Sequence, residues 1–73
     1  PYDLIVANIL ADPLIDMAPD LFRHLAPGGY AVLSGLLARQ ETDVVRAHEK
    51  TGLSFLGTIA LNDWRALVLT RKA

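Results

Sequence analysis

A lone asparagine at the end of an apolar run has the best claim to chemistry in this chain. In Asp3-Leu4-Ile5-Val6-Ala7-Asn8-Ile9-Leu10, four consecutive apolar residues lead into Asn8. This is the pattern of a strand buried on both faces that delivers one polar side chain at its carboxyl end. Open α/β sheets bind ligands in the crevice outside those ends, so Asn8 is a candidate ligand contact. The plainer alternative is an asparagine bonding its local backbone, as it does in turns. A second apolar run, Tyr30 to Ser34, ends at Ser34-Gly35, which topology would place beside the same crevice, with a weaker claim than Asn8.

Other reactive side chains point to structural roles. Ser34 lacks the Gly-x-Ser-x-Gly elbow of a hydrolase nucleophile. His24 and His48 have no His, Glu or Cys partner at ligand spacing, so no metal site is expected and both read as surface or half-buried helix residues. Asp12, followed by Pro13, reads as a helix cap rather than a base. Trp64 opens a strand, where tryptophan more often packs than faces substrate. Pro27-Gly28-Gly29 follows a helix and enters a strand, the reverse of a phosphate or cofactor cradle.

Positioning these residues takes a βαβαββ order. The first strand is Leu4 to Ala7. A helix begins at Asp12-Pro13 with Leu14, Ile15, Ala18, Leu21, Phe22 and Leu25 on one stripe, and Pro19 inside it predicts a kink or a restart near Ala18. Ala26-Pro27-Gly28-Gly29 stops it, and the second strand follows at Tyr30 to Ser34. A second helix runs from Leu37 or Ala38 to Thr51, with a weaker stripe of Leu37, Val44, Val45 and His48, and ends at Gly52. Leu53 to Leu61 and Trp64 to Thr70 form an antiparallel hairpin around Asn62-Asp63. Phe55, Ile59 and Leu61 share one side, Gly57 suggests a bulge, and Arg71-Lys72-Ala73 is a solvated tail.

The totals narrow the function. At 73 residues the chain is one domain or part of one, because so short a chain buries only about 60% of its unfolded surface. Over half of it is apolar and its mean hydropathy is positive, a composition closer to the interior of a larger domain. The start at Pro1, with the sole methionine at Met17, fits a beginning inside a larger product. With no cysteine, disulfides and thiolate metal sites are excluded. A net charge of −1 without a basic stripe argues against direct nucleic-acid binding. No apolar run nears the roughly 18 residues of a membrane span, so the expectation is a soluble, cytoplasmic chain.

Residues 2–11, Leu14-Ile15, Ala18-Pro19, Pro27-Gly28-Gly29, Leu33-Ser34-Gly35-Leu36-Leu37 and Gln40 closely resemble ribosomal protein methyltransferases of the PrmA type. These are class I S-adenosylmethionine-dependent enzymes that modify amino groups of protein L-eleven of the large ribosomal subunit. The likeness is dense to Gln40 and loose beyond it. It implies an α/β fold, the second half of a Rossmann-like class I sheet with parallel strands and a terminal antiparallel hairpin. It also implies that residues 1–73 are the C-terminal portion of a catalytic domain whose cofactor-binding half lies upstream.

In related N-methyltransferases the strand is followed by Asn-Pro-Pro-aromatic, and the Asn side-chain carbonyl and a following backbone carbonyl accept hydrogen bonds from the substrate nitrogen. Here Asn8 matches, Ile9-Leu10 replace the prolines and no aromatic follows, which favours lysine or terminal amines over glutamine or bases. The resemblance thus implies Asn8 as the catalytic and cofactor-facing residue and Asn8, Ile9 and Leu10 as substrate-binding. No general base is evident. The cofactor implied is S-adenosylmethionine, which this chain alone would not fully hold, and the partners implied are a ribosomal protein and the upstream part of the domain. A different class of function is a non-catalytic half-sheet that binds a partner or itself through the edge of its first strand. A nucleotide-binding fragment would need a Gly-rich strand-to-helix turn that is absent.

Overall fold

Alternating apolar runs and amphipathic segments resolve, in a computed structural model describing residues 1–73, into β1 (Tyr2–Asn8), α1 (Ala11–Asp16), α2 (Ala18–His24), β2 (Leu25–Leu37), α3 (Glu41–Glu49), β3 (Ser54–Leu61) and β4 (Trp64–Thr70). A short 3-10 turn, Ala38–Gln40, precedes α3. The strands form one sheet in the order β1-β2-β4-β3. β1 pairs parallel to β2, while β4 is antiparallel to both neighbours. The expected α/β order and terminal hairpin are thus present.

All three helices pack on one face of this sheet. Leu14, Leu21 and Val44 from the helices meet Ala31, Leu33, Leu36, Leu67 and Leu69 from the strands in a single buried cluster. Each such leucine contributes about 1.5–3 kcal/mol by leaving water. Alternation along β1 sends Ile5 and Ala7 toward that cluster and leaves Leu4 and Val6 exposed. β1 is therefore not buried on both faces as its composition predicts: it is one of the two edge strands, and no helix lies on its exposed face.

Local chemistry moves several boundaries. The first helix starts at Ala11 with Leu10 as its cap residue, so Asp12 sits in the first turn and caps nothing. Leu14 N–H donates to the Leu10 carbonyl at 3.1 Å, which pulls the start ahead of Pro13. Pro19 divides the helix as anticipated, with a one-residue interruption at Met17 and a restart at Ala18. β2 begins at Leu25, so Pro27-Gly28-Gly29 is part of an irregular strand rather than a turn before it. At its other end β2 runs through Leu37, whose N–H donates to Gln40 Oε1 at 2.8 Å and opens the 3-10 turn. Leu37 therefore belongs to a strand and not to the helical stripe.

The hairpin bulge falls between Phe55 and Gly57, skipping Leu56. This sends Ile59 and Leu61 to the open face while Phe55 stays against the core, so the three do not share a side. Arg71 is no solvated tail residue. Its guanidinium donates to the Phe22 and Leu25 carbonyls at 3.1 and 2.9 Å and stacks 4.3 Å from the Phe22 ring centre.

His48 is fully buried, contrary to expectation. It ties α3 to α1 through Nε2, which donates to the Leu14 carbonyl at 2.8 Å. That bond puts the proton on Nε2 and leaves buried Nδ1 without a partner. Burial disfavours the charged ring and lowers its pKa below 6.5, partly offset by the Leu14 hydrogen bond. A histidine depressed in the folded state makes its full contribution above the unfolded pKa and loses it as pH falls below about 6.5. Unfolding free energies from urea titrations between pH 7.5 and pH 5 should fall more steeply for the native sequence than for His48→Gln, by at most about 1.4 kcal/mol per pH unit. Parallel slopes would remove His48 as the cause.

Candidate functional site

Asn8 is the last residue of β1 and lies opposite Ser34. The chain then follows β2 for one more residue. Ile9 N–H donates to the Ser34 carbonyl at 3.1 Å, and Ser34 Oγ makes a long contact of 3.5 Å to the Ala7 carbonyl. At Leu10 the backbone turns away into α1 and its carbonyl is engaged by Leu14 N–H. Neither the Ile9 carbonyl nor Asn8 Oδ1 accepts a hydrogen bond from any group of the chain. Two adjacent acceptors are left free at the carboxyl end of a strand.

Both face Gly35. Ser34 pairs with Ala66 and Leu36 with Arg65, so Gly35 is an extra, unpaired residue of β2, with a φ of +92°. A Cβ there would stand 2.9 Å from Asn8 Oδ1 and closer still to the Ile9 carbonyl oxygen. Sequence reasoning placed Gly35 at the crevice only by topology. The signal it offered was a glycine at a strand end, where one backbone approaches another.

A row of paired residues, Asn8, Ser34, Ala66 and Ile59, crosses all four strands on the face that carries no helix. Beside it lies Trp64, paired with Leu61 on β3. Together these bound an open cavity of about 680 Å³ that Ile9, Leu10 and Gly35 also line. Trp64 is 51% exposed and Leu61 71%, so the expectation that Trp64 packs in the interior fails. The cause is the one-sided placement of the helices, which leaves β4 nothing to pack against at that end.

The cavity is mostly apolar, and Arg65 is the only ionisable residue lining it. The Arg65 guanidinium is committed elsewhere: Nη1 donates to the Asn62 and Trp64 carbonyls at 2.7 and 2.9 Å, and Nε lies 3.7 Å from Glu41. No three His, Asp or Glu side chains converge as an ion site would require. His24 lies apart from the cavity, its Nδ1 2.7 Å from the Asp20 carbonyl oxygen on α2. The structure thus brings together Asn8, Ile9, Leu10, Ser34 and Gly35, and adds Ile59, Leu61 and Trp64 from the hairpin.

Residues 1–72 match the protein family described as ribosomal protein L11 methyltransferase (PrmA). The chain belongs to this family. Among its relatives, the ribosomal protein L11 methyltransferase of Agrobacterium fabrum is 55% identical over 71 residues, covering 97% of this chain and 24% of that protein. That of Brucella abortus is 50% identical over 70 residues, covering 96% and 25%. A solved structure of the ribosomal protein L11 methylase from Lactobacillus delbrueckii subsp. bulgaricus superposes with a TM-score of 0.90 at 34% identity, covering 97% of this chain and 37% of that one. The chain therefore spans about a quarter of the length of the curated relatives it matches. The L11 methyltransferase family fold extends over this whole segment, hairpin included.

Trp64 is the sole tryptophan and reports directly on the cavity wall. Its fluorescence in the 73-residue chain should peak where a solvated indole emits and be readily quenched by acrylamide. Blue-shifted, protected emission would return Trp64 to a packed interior.

Proposed function

We propose that residues 1–73 form the C-terminal portion of the catalytic domain of an S-adenosylmethionine-dependent N-methyltransferase acting on lysine or terminal amino groups of a ribosomal protein. The observation that carries this reading is the pair of free acceptors, Asn8 Oδ1 and the Ile9 carbonyl, on two residues that line an apolar cavity. A neutral primary amine has two N–H bonds and one lone pair. Two acceptors that engage both N–H bonds leave the lone pair as the only direction open to an electrophile, which is the in-line geometry methyl transfer needs. The same oxygens stabilise the positive charge that grows on nitrogen as the new N–C bond forms.

Ile9, Leu10, Ile59, Leu61 and Trp64 give this site an environment that favours the uncharged amine over ammonium. They also suit the aliphatic stem of a lysine. No carboxylate or imidazole lines the cavity to act as a base, so the amine gives up its proton to water on entering the apolar site. When bound, S-adenosylmethionine supplies an electrophilic methyl group. The residues here fit it only at that end, through Asn8, because the β1 to α1 connection Ile9-Leu10 contains no glycine to form a backbone cradle. Upstream residues of the domain would hold the rest, and the protein would work in the cytoplasm, where its ribosomal substrate is made. No helix of the chain is long and apolar enough to span a bilayer.

In the longer protein that carries this chain, Asn8→Ala should lower methyl transfer to an amine-bearing peptide about 10²-fold, as loss of one well-placed polar group does. Cofactor affinity measured by calorimetry should fall much less than turnover, since Asn8 would meet only the methyl end of the cofactor and upstream residues would hold the rest. Equal loss of both would place Asn8 on the cofactor instead.

A second reading, a non-catalytic half-sheet that associates with another copy of itself, is favoured by one observation. Leu4 and Val6 on the unpaired edge strand are 58% and 64% exposed, and unpaired apolar edges add strands. Sedimentation of the isolated chain should then show dimers or larger species at high concentration. A clean monomer throughout would dispose of it.

A further inference from the structure

We infer that Gly35 is a positioning residue for the amine, acting through the two oxygens that hold it. The inference rests on the reading of Asn8 and Ile9 as the amine's acceptors and deepens it. Three features of β2 converge on this role. Gly35 is the bulged residue opposite β4, so no ladder partner dictates its conformation. Its φ of +92° belongs to the left-handed region that side chains rarely occupy. The space its missing side chain leaves is where Asn8 Oδ1 and the Ile9 carbonyl converge.

The consequence is geometric. Ile9 is pinned to β2 through its own N–H, which bonds the Ser34 carbonyl, so its carbonyl cannot retreat from a side chain at 35 without breaking that bond. Asn8 would yield instead by rotating its amide away. Either response separates the two oxygens, and a neutral amine then satisfies one N–H and swings its lone pair off line. A displacement of about 1 Å in such a site costs about 10²-fold in rate. Gly35 touches neither the amine nor the cofactor in this scheme. It keeps the oxygens close together by occupying no space between them.

The test compares Gly35→Ala and Gly35→Asn in the longer protein, assayed with a lysine-containing peptide and S-adenosylmethionine. Asparagine tolerates a positive φ better than alanine does, so it separates the added Cβ from backbone strain. Both variants should lose about 10²-fold in kcat and keep cofactor affinity within about twofold, with Gly35→Asn melting above Gly35→Ala. Adding Gly35→Ala to Asn8→Ala should lower kcat less than Gly35→Ala does alone, because one of the oxygens it steers is already gone. Unchanged kcat in either folded variant overturns the proposal, as does a matching loss of cofactor affinity. Failure of both variants to fold would assign Gly35 to the fold alone and equally overturn it. If Asn8→Ala itself leaves turnover intact, the acceptor reading fails. A low rate in Asn8→Ala with a native rate in Gly35→Ala overturns this inference only.

Discussion

Every helix of the chain leans on the same face of one four-stranded sheet, and the rest of the structure follows from that asymmetry. The covered face holds the leucine core, and α1 is kept in place there by the His48 to Leu14 hydrogen bond. The other face carries Leu4, Val6, Tyr30 and Ile59 with no helix over them. Exposed apolar surface of this extent is uncommon on small soluble domains. Because α1 departs from the sheet on the covered side, the last residue of β1 and its connection are left at the rim, and the candidate site forms there from backbone geometry more than from side chains.

That rim depends on a departure from regular pairing. The bulge at Gly35 interrupts the pairing of β2 with β4 just where β1 ends, beside the free Ile9 carbonyl and Asn8 Oδ1. Bulges commonly lie beside functional sites, where they re-aim groups or end pairing. Here the irregularity also realigns β2, returning Leu36 to the core at full burial. A single glycine reconciles an intact interior with an open edge.

Much of this was legible in the residues. The apolar runs marked β1 and β2, Asn62-Asp63 marked the hairpin, and Pro19 marked the helix break, because these signals are local and steric. Asn8 stood out as a polar side chain ending an apolar strand, and the structure puts it at the rim of the open cavity. What stayed hidden depends on partners distant in sequence. The burial of His48 is set by a carbonyl 34 residues away, and Arg71 is bound by carbonyls 49 and 46 residues away. The exposure of β1 was equally unreadable, because apolar composition tells what a strand prefers to bury and not whether these residues supply the cover. Trp64 was misplaced for the same reason. The start of α1 and the length of β2 shifted because prolines and glycines mark irregular backbone without saying which side of a boundary it falls on.

The strand order carries one more consequence, for the making of the molecule. β4 is the last strand in the chain, yet it lies between β2 and β3 and joins them. While Trp64 to Thr70 are still unsynthesised, β3 has no neighbour and β2 lacks one of its two. The leucines that β4 contributes, Leu67 and Leu69, are also missing from the core. Closure of such a sheet waits on contacts between distant parts of the chain, which are slow to form. The nascent segment therefore emerges as a β-α-β unit with an open seam, and it becomes a sheet only after its final strand is free to slide in.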